Sequence, residues 1–248
     1  MTLRTHLDGA VFAEHLPGRA PTVLALHGWG RDRSDLLDAL REREVISLDL
    51  PGFGASPPPD HPCGARAYAT QVAEVLRAGG IGPVLVVGHS FGGRVAAHLA
   101  ADHPDLVSGV VFVGVPLLRT APSGNAPLPY RVVRRAHRMH LVPDRVLDTM
   151  RRRHGSADYR AATGVMRDVL VTVVNEDYRS ELDRITCPVG FCWGATDTAA
   201  RPQVATEASR LVGTSVVVDI VDGAGHDVHR EAPARLNTVI DAVAEAAS

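Results

Sequence analysis

Six short runs of β-branched and aliphatic residues recur along this 248-residue chain: TVLALHG (22–28), VISLDLPG (45–52), VLVVGHS (84–90), VVFVGVP (110–116), VGFCWG (189–194) and VVVDIVDG (216–223). A strand apolar at nearly every position, instead of every second one, is expected to be covered on both faces, which is the situation of a parallel sheet. Helical patterns lie between most of these runs: SDLLDALRE (34–42), ARAYATQVAEVLRAGG (65–80), FGGRVAAHLAADH (91–103), RPQVATEASRLV (201–212) and REAPARLNTVIDAVAEAA (230–247). Strands alternating with helices imply crossover units and a doubly wound α/β architecture. Before this rhythm starts, LRTHL and AVFAEHL flank Asp8-Gly9, a pair able to supply the positive φ values of a tight turn, and read as a hairpin. The expectation is a mostly parallel, eight-stranded sheet flanked by helices.

One connection departs from the rhythm. Between the strand ending near Pro116 and the one starting near Pro188, the chain runs far beyond the few residues that usually join α/β elements. Residues 117–182 are expected to form a helical cap inserted into a core made of residues 1–116 and 183–248. This segment holds twelve arginines against seven acidic residues, a formal charge of +5 in a chain whose net charge is −2. Its arginines fit either solvated helix faces or the lining of a cleft for an anionic small molecule.

A net charge of −2 provides no general attraction to nucleic acid or to an anionic membrane surface. No apolar stretch approaches the roughly 18 residues of a membrane span, and MTLRTHLDGAVFAEHLPG has no apolar run fit for a signal peptide. The expected location is cytoplasmic, with Cys63, Cys187 and Cys192 as reduced thiols. All 26 basic residues are arginine, so a phosphate loop requiring lysine is impossible, and no GxGxxG follows the first strand. Although there are 12 histidines, no HExxH or CxxC spacing points to a metal, so neither metal nor cofactor is expected.

The chemistry concentrates in Gly88-His89-Ser90-Phe91-Gly92, which stands between the strand VLVV and the helix GGRVAAHLA. Glycines two residues either side relieve crowding at a sharp turn, so the Ser90 hydroxyl can project above the sheet from a strained backbone. Phe91 opens the helix, and its backbone N–H points to where an oxyanion would sit. Serine is a weak nucleophile near neutral pH and needs a base, which in turn needs an orienting acid. Both are expected beyond the carboxyl ends of later strands, where open α/β sheets place their sites. VGFCWG runs into GATDT and presents Asp197; VVVDIVDG runs into AGHDVH and presents His226, with His229 a few residues on as its competitor.

The pieces HGWG (27–30), DLPGFGAS (49–56), GHSFGG (88–93), WGATD (193–197) and GAGH (223–226), in this order and with a cap-length insertion, resemble the α/β-hydrolase superfamily over nearly the whole chain. The resemblance implies a capped α/β-hydrolase fold with Ser90, Asp197 and His226 as catalytic residues. It places the second oxyanion-hole amide on Trp29, beside that of Phe91, and gives Asp49 a structural role in ordering the PGFG turn. It implies a serine hydrolase that cleaves a small carbonyl-containing substrate, a carboxylic ester first of all, through an acyl-enzyme. With serine as nucleophile, the carboxylate-ester chemistry of haloalkane dehalogenases and epoxide hydrolases is disfavoured. The acid loop ATDTAARP lacks the apolar residue and proline common after the aspartate in relatives. Two alternatives stand beside this: a menaquinone-pathway type of lyase eliminating pyruvate from an anionic substrate, and a non-catalytic ligand-binding protein on the same scaffold. Arg94, one helical turn after Ser90, is a candidate substrate-binding residue or else a salt-bridged residue on the helix surface.

Overall fold

The computed structural model describes residues 2–15, 22–119 and 157–248, with 135–136, 139, 142–143 and 146. Eight strands form one sheet: β1 (Thr2–His6), β2 (Val11–His15), β3 (Val23–Leu26), β4 (Val45–Asp49), β5 (Val84–His89), β6 (Val107–Val113), β7 (Val189–Gly194) and β8 (Val216–Val221). Their order is β1-β2-β4-β3-β5-β6-β7-β8. β1 pairs antiparallel with β2, and β2 antiparallel with β4, while every pairing from β4 to β8 is parallel. The hairpin turn begins one residue earlier than expected, because Leu7 (φ 50°) as well as Asp8 (φ 54°) and Gly9 (φ 92°) take positive φ.

The apolar runs divide between two cores with a period of two. Leu24, Leu26, Val84, Val86, Phe112 and Phe191 face one core, in which α1 (Ala65–Ala78) and α2 (Phe91–Asp102) lie. Their alternates, Val23, Ala25, Leu85, Val87, Val111 and Cys192, face the other. β8 departs from the expectation of double coverage: it is the sheet's edge, and Val218 and Ile220 are exposed.

Two helical expectations change. SDLLDALRE forms a chain of turns, not a helix, with bonds such as Leu37 N–H to the Ser34 carbonyl and Arg43 N–H to the Leu40 carbonyl. Leu36, Leu37 and Leu40 are nevertheless buried in the second core, so apolar spacing alone misleads here. The C-terminal pattern divides into α7 (Val228–Glu231) and α8 (Pro233–Ala246) at Ala232, whose φ of −141° and ψ of 58° fit the restriction imposed by the following proline. Between them in sequence and β6 lie α3 (Ala157–Ala161), α4 (Gly164–Val173), α5 (Arg179–Arg184) and α6 (Pro202–Ser209).

The described part of the long insertion is helical and returns to where it left. The Leu117 carbonyl accepts from Tyr178 N–H at 3.0 Å, and Asp177 accepts from Arg119 N–H at 2.9 Å. Leu170, Val173 and Tyr178 join the first core. The arginines at 131, 134, 138, 145 and 151–153, on which the idea of an arginine-lined cleft largely rested, lie outside the described residues.

Candidate active site

β5 ends at His89 and α2 begins at Phe91, so Ser90 makes the entire turn, with φ 48° and ψ −107°. A serine is held in this sparsely populated region only because its surroundings require it. A Cβ on Gly92 would lie 2.2 Å from the Leu26 carbonyl oxygen, and one on Gly88 would lie 2.6 Å from Gly93 Cα. The elbow is thus pressed against β3 and its own helix, and Ser90 N–H is tied to the Val113 carbonyl at 2.9 Å. Ser90 borders a cavity of about 470 Å³ together with Trp29, Phe91, Arg94 and His226.

β7 and β8 bring the other two candidates together. His226 Nδ1 lies 2.8 Å from Asp197 Oδ2, which fixes the imidazole proton on Nδ1 and leaves Nε2 as the acceptor a general base requires. Asp197 Oδ1 accepts from the Ala199 and Ala200 amides at 2.8 and 2.9 Å, and the Trp193 indole donates to the Ala200 carbonyl at 2.8 Å. ATDTAARP therefore holds its carboxylate through its own backbone, without the apolar residue and proline common elsewhere. Gly114 (φ 57°) leaves room for the pair: a Cβ there would come within 3.2 Å of His226 Nδ1 and 3.3 Å of Asp197 Oδ2. His229, the competitor, turns away and meets Asp35 instead.

The HGWG turn is bound to the elbow through Gly92 N–H, which donates to the His27 carbonyl at 3.0 Å. His27 is buried and neutral in character: burial pushes its pKa down, its Nδ1 meets the Gly28 carbonyl at 2.7 Å, and its Nε2 accepts from Leu50 N–H at 3.0 Å. The Trp29 indole packs edge-on against Phe53 and Phe91, with ring centroids 4.9 and 5.3 Å apart. Asp49 accepts from the Arg33 and Ala55 amides at 2.7 and 2.8 Å, ordering the turn that follows β4.

Arg94 is not a salt-bridged surface residue. It is 7 % exposed, because α2 is enclosed by the sheet, α1 and the insertion. Its guanidinium donates to the Val173 carbonyl at the end of α4 and lies 5.7 Å from the Tyr178 ring centroid. Among the described residues no carboxylate lies at ion-pair distance from it; burial lowers its pKa, opposed by the Tyr178 hydroxyl and by Glu176, which accepts from that hydroxyl.

Sequence reasoning overlooked Asp35, buried within the misread segment 34–42. Its Oδ2 accepts from Gly28 N–H at 3.1 Å and faces His89 Nδ1 at 2.8 Å; its Oδ1 faces Arg31, Arg230 and His229 at 3.0, 2.9 and 3.2 Å. Burial would raise the Asp35 pKa, but the bonds from His229 and His89 hold it well below the carboxylate range. Burial pushes His89 down to about 4, so a neutral imidazole donates to an ionised carboxylate. Asp35, His89 and His229 lie close enough to hold a metal ion. The donor set does not fit one: two guanidiniums and a backbone amide already occupy the carboxylate, and a cation there would face two arginines.

Comparison with known proteins agrees with this architecture. The family model described as the alpha/beta hydrolase family matches residues 23–239. A pimeloyl-[acyl-carrier protein] methyl ester esterase of Chromobacterium violaceum is 31% identical, over 75% of this chain and 80% of its own. An uncharacterized protein of Mycobacterium bovis is 28% identical over 92% of this chain and 76% of its own. Among solved structures, a bromoperoxidase from Bacillus anthracis superposes with a TM-score of 0.71 at 20% identity, covering 95% of both chains. An esterase from Exiguobacterium antarcticum gives 0.72 at 17% identity over 100% of this chain and 99% of its own. Likeness at such identities speaks for the fold alone.

Proposed function

From the premise that this chain belongs to the alpha/beta hydrolase family, we propose that it is a serine hydrolase cleaving a small carbonyl-containing substrate, a carboxylic ester first of all. The observation that carries this reading is the 2.8 Å contact between His226 Nδ1 and Asp197, with His226 and Ser90 bordering one cavity. His226 Nε2 takes the Ser90 proton as Oγ attacks the ester carbonyl, and Asp197 steadies the imidazolium that forms. The Trp29 and Phe91 amides stabilise the oxyanion, and the start of α2 adds its partial positive charge. Collapse of the tetrahedral intermediate expels the alcohol, protonated by His226, and leaves an acyl group on Ser90. His226 then deprotonates a water that attacks this acyl group, releasing the acid and restoring the serine. The methyl ester named for the Chromobacterium relative supports the ester class.

In this reading residues 117–182 form a cap whose Leu170, Val173 and Val174 close over the cavity, so the cap selects the substrate. Among the described residues no helix is long and apolar enough to cross a membrane. A panel of p-nitrophenyl esters, thioesters and lactones tests the proposal: Ser90→Ala should lower turnover of the best substrate by at least about a thousandfold. Retained turnover in that variant would overturn it.

Arg94 favours a second reading of the substrate. A buried guanidinium bordering the cavity, with no carboxylate at ion-pair distance among the described residues, suits a substrate that brings its own. An anionic ester is one such substrate. The lyase alternative is another, and release of pyruvate from an enolpyruvyl-type acid in place of ester hydrolysis would favour it.

A further inference from the structure

We infer that Asp35 is a positioning residue for the reaction, holding the oxyanion turn, the nucleophile elbow and the base loop in one register through a single buried carboxylate. The inference rests on the serine hydrolase reading of the site.

Three separate loops converge on this side chain, which is fully buried. From the oxyanion turn, Gly28 donates its amide to Oδ2, one peptide before the amide of Trp29, and Arg31 donates to Oδ1. From the elbow, His89 donates Nδ1–H to Oδ2, directly before Ser90 in sequence. From the base loop and the helix after it, His229 and Arg230 reach Oδ1.

Second contacts close the circuit. Arg31 also grips Asp227, the neighbour of His226, at 2.6 and 2.7 Å. The His89 and His226 rings pack with centroids 5.1 Å apart, a packing contact only, since His89 carries its proton on Nδ1 and its Nε2 has none to give the His226 carbonyl. Gly28 has no room for a side chain because a Cβ would lie 2.7 Å from His89 Nδ1. Turn and elbow are therefore in direct contact at the point where Asp35 binds both.

None of these groups is among those proposed to exchange a proton or bond with the substrate. What they share is the relative placement of the Trp29 amide, Ser90 and His226, and an error of about 1 Å in such placement costs about a hundredfold in rate. Neutral asparagine at position 35 keeps the shape but replaces one acceptor oxygen with a donor, facing either the Gly28 and His89 donors or the guanidiniums. The circuit then opens at one of its three loops. Asp35 itself lies outside the cavity lining, although Gly28, Arg31 and His89 border it; because its contacts hold transition-state geometry, the loss should fall chiefly on kcat.

The test is steady-state kinetics of Asp35→Asn on an activated ester, with each preparation titrated by an organophosphorus inhibitor so that kcat is expressed per reactive serine. The expected result is kcat per titrated site lower by about a hundredfold with KM within about threefold. Asp227→Asn, a milder and half-exposed break in the same circuit, should lower kcat per site by several-fold. It serves as the deciding variant if Asp35→Asn does not fold. A purely structural Asp35 would reduce the fraction of titratable protein and leave kcat per site unchanged in both variants, which would overturn the inference while leaving the hydrolase reading intact. Failure of the wild-type protein to titrate at all would overturn both.

Discussion

At Arg94 the burial of a charge becomes a constraint on ligand. A guanidinium 7 % exposed, held by the Val173 carbonyl and Tyr178, with Glu176 behind the tyrosine hydroxyl, loses hydration that those contacts replace incompletely. A substrate carboxylate entering the cavity would supply what is missing. Arg94→Met keeps the stem and removes the charge, so kcat/KM for an ester bearing a free carboxylate should fall by about ten- to a hundredfold, while that for a neutral ester changes by less than about threefold. Equal losses on both esters would remove Arg94 from substrate recognition. Individual residues were unequally legible. Ser90, Asp197 and His226 could be named as candidates because each follows a recognisable strand run, and strand ends fix position. For Arg94 only the surface alternative failed, because helical periodicity gives no warning that α2 is covered on every side. Asp35 was missed because the leucines around it keep helical spacing although the backbone there makes only turns.

The strand–turn–helix element around the elbow shows how little tolerance the fold leaves. β5 and α2 can meet at Ser90 only if α2 comes down onto β3, and the nearest approach is Gly92 against the Leu26 carbonyl. Unlike the end of a flexible side chain, that oxygen belongs to a central strand and cannot move aside. Gly92→Ala should therefore destabilise the protein by about 3 kcal/mol or more, read as a lowered urea midpoint, and should also abolish serine reactivity in the folded fraction. An alanine variant with wild-type midpoint and reactivity would show the elbow to be looser than described. Most strands were legible as elements because runs covered on both faces leave an uninterrupted apolar signal. β8 was legible as a strand but not as an edge, since its apolar run looks like those of the covered strands, and segment 34–42 was misread because a buried set of turns carries leucines at helical spacing.

For the molecule as a whole, buried histidines tie stability to pH. Burial holds His27, His89 and His98 below the ordinary value of 6.5, His89 down to about 4. The folded protein keeps these imidazoles neutral while the unfolded chain protonates them near 6.5, so the unfolded state binds more protons as the solution acidifies. Stability is then full above about pH 6.5 and is lost as pH falls towards 4, with His89 alone accounting for about 3 kcal/mol across that window. Urea unfolding at pH 7, 5.5 and 4.5 should give a steadily falling free energy, and a flat profile would contradict the neutral, buried state assigned to these rings. At this scale the doubly wound sheet was readable from sequence, since alternation of strand and helix leaves few topologies open. The Asp35 circuit was not, because it joins residues up to 196 positions apart and only the folded chain brings them together. Whether Ser90 carries the acyl group can be read by mixing the protein with p-nitrophenyl acetate, quenching in acid within milliseconds to seconds, and mapping the modified peptide by mass spectrometry. A transient acetyl group on Ser90 that decays as acetate is released is the expected result; ester turnover without acylation of Ser90 would rule out a serine acyl-enzyme.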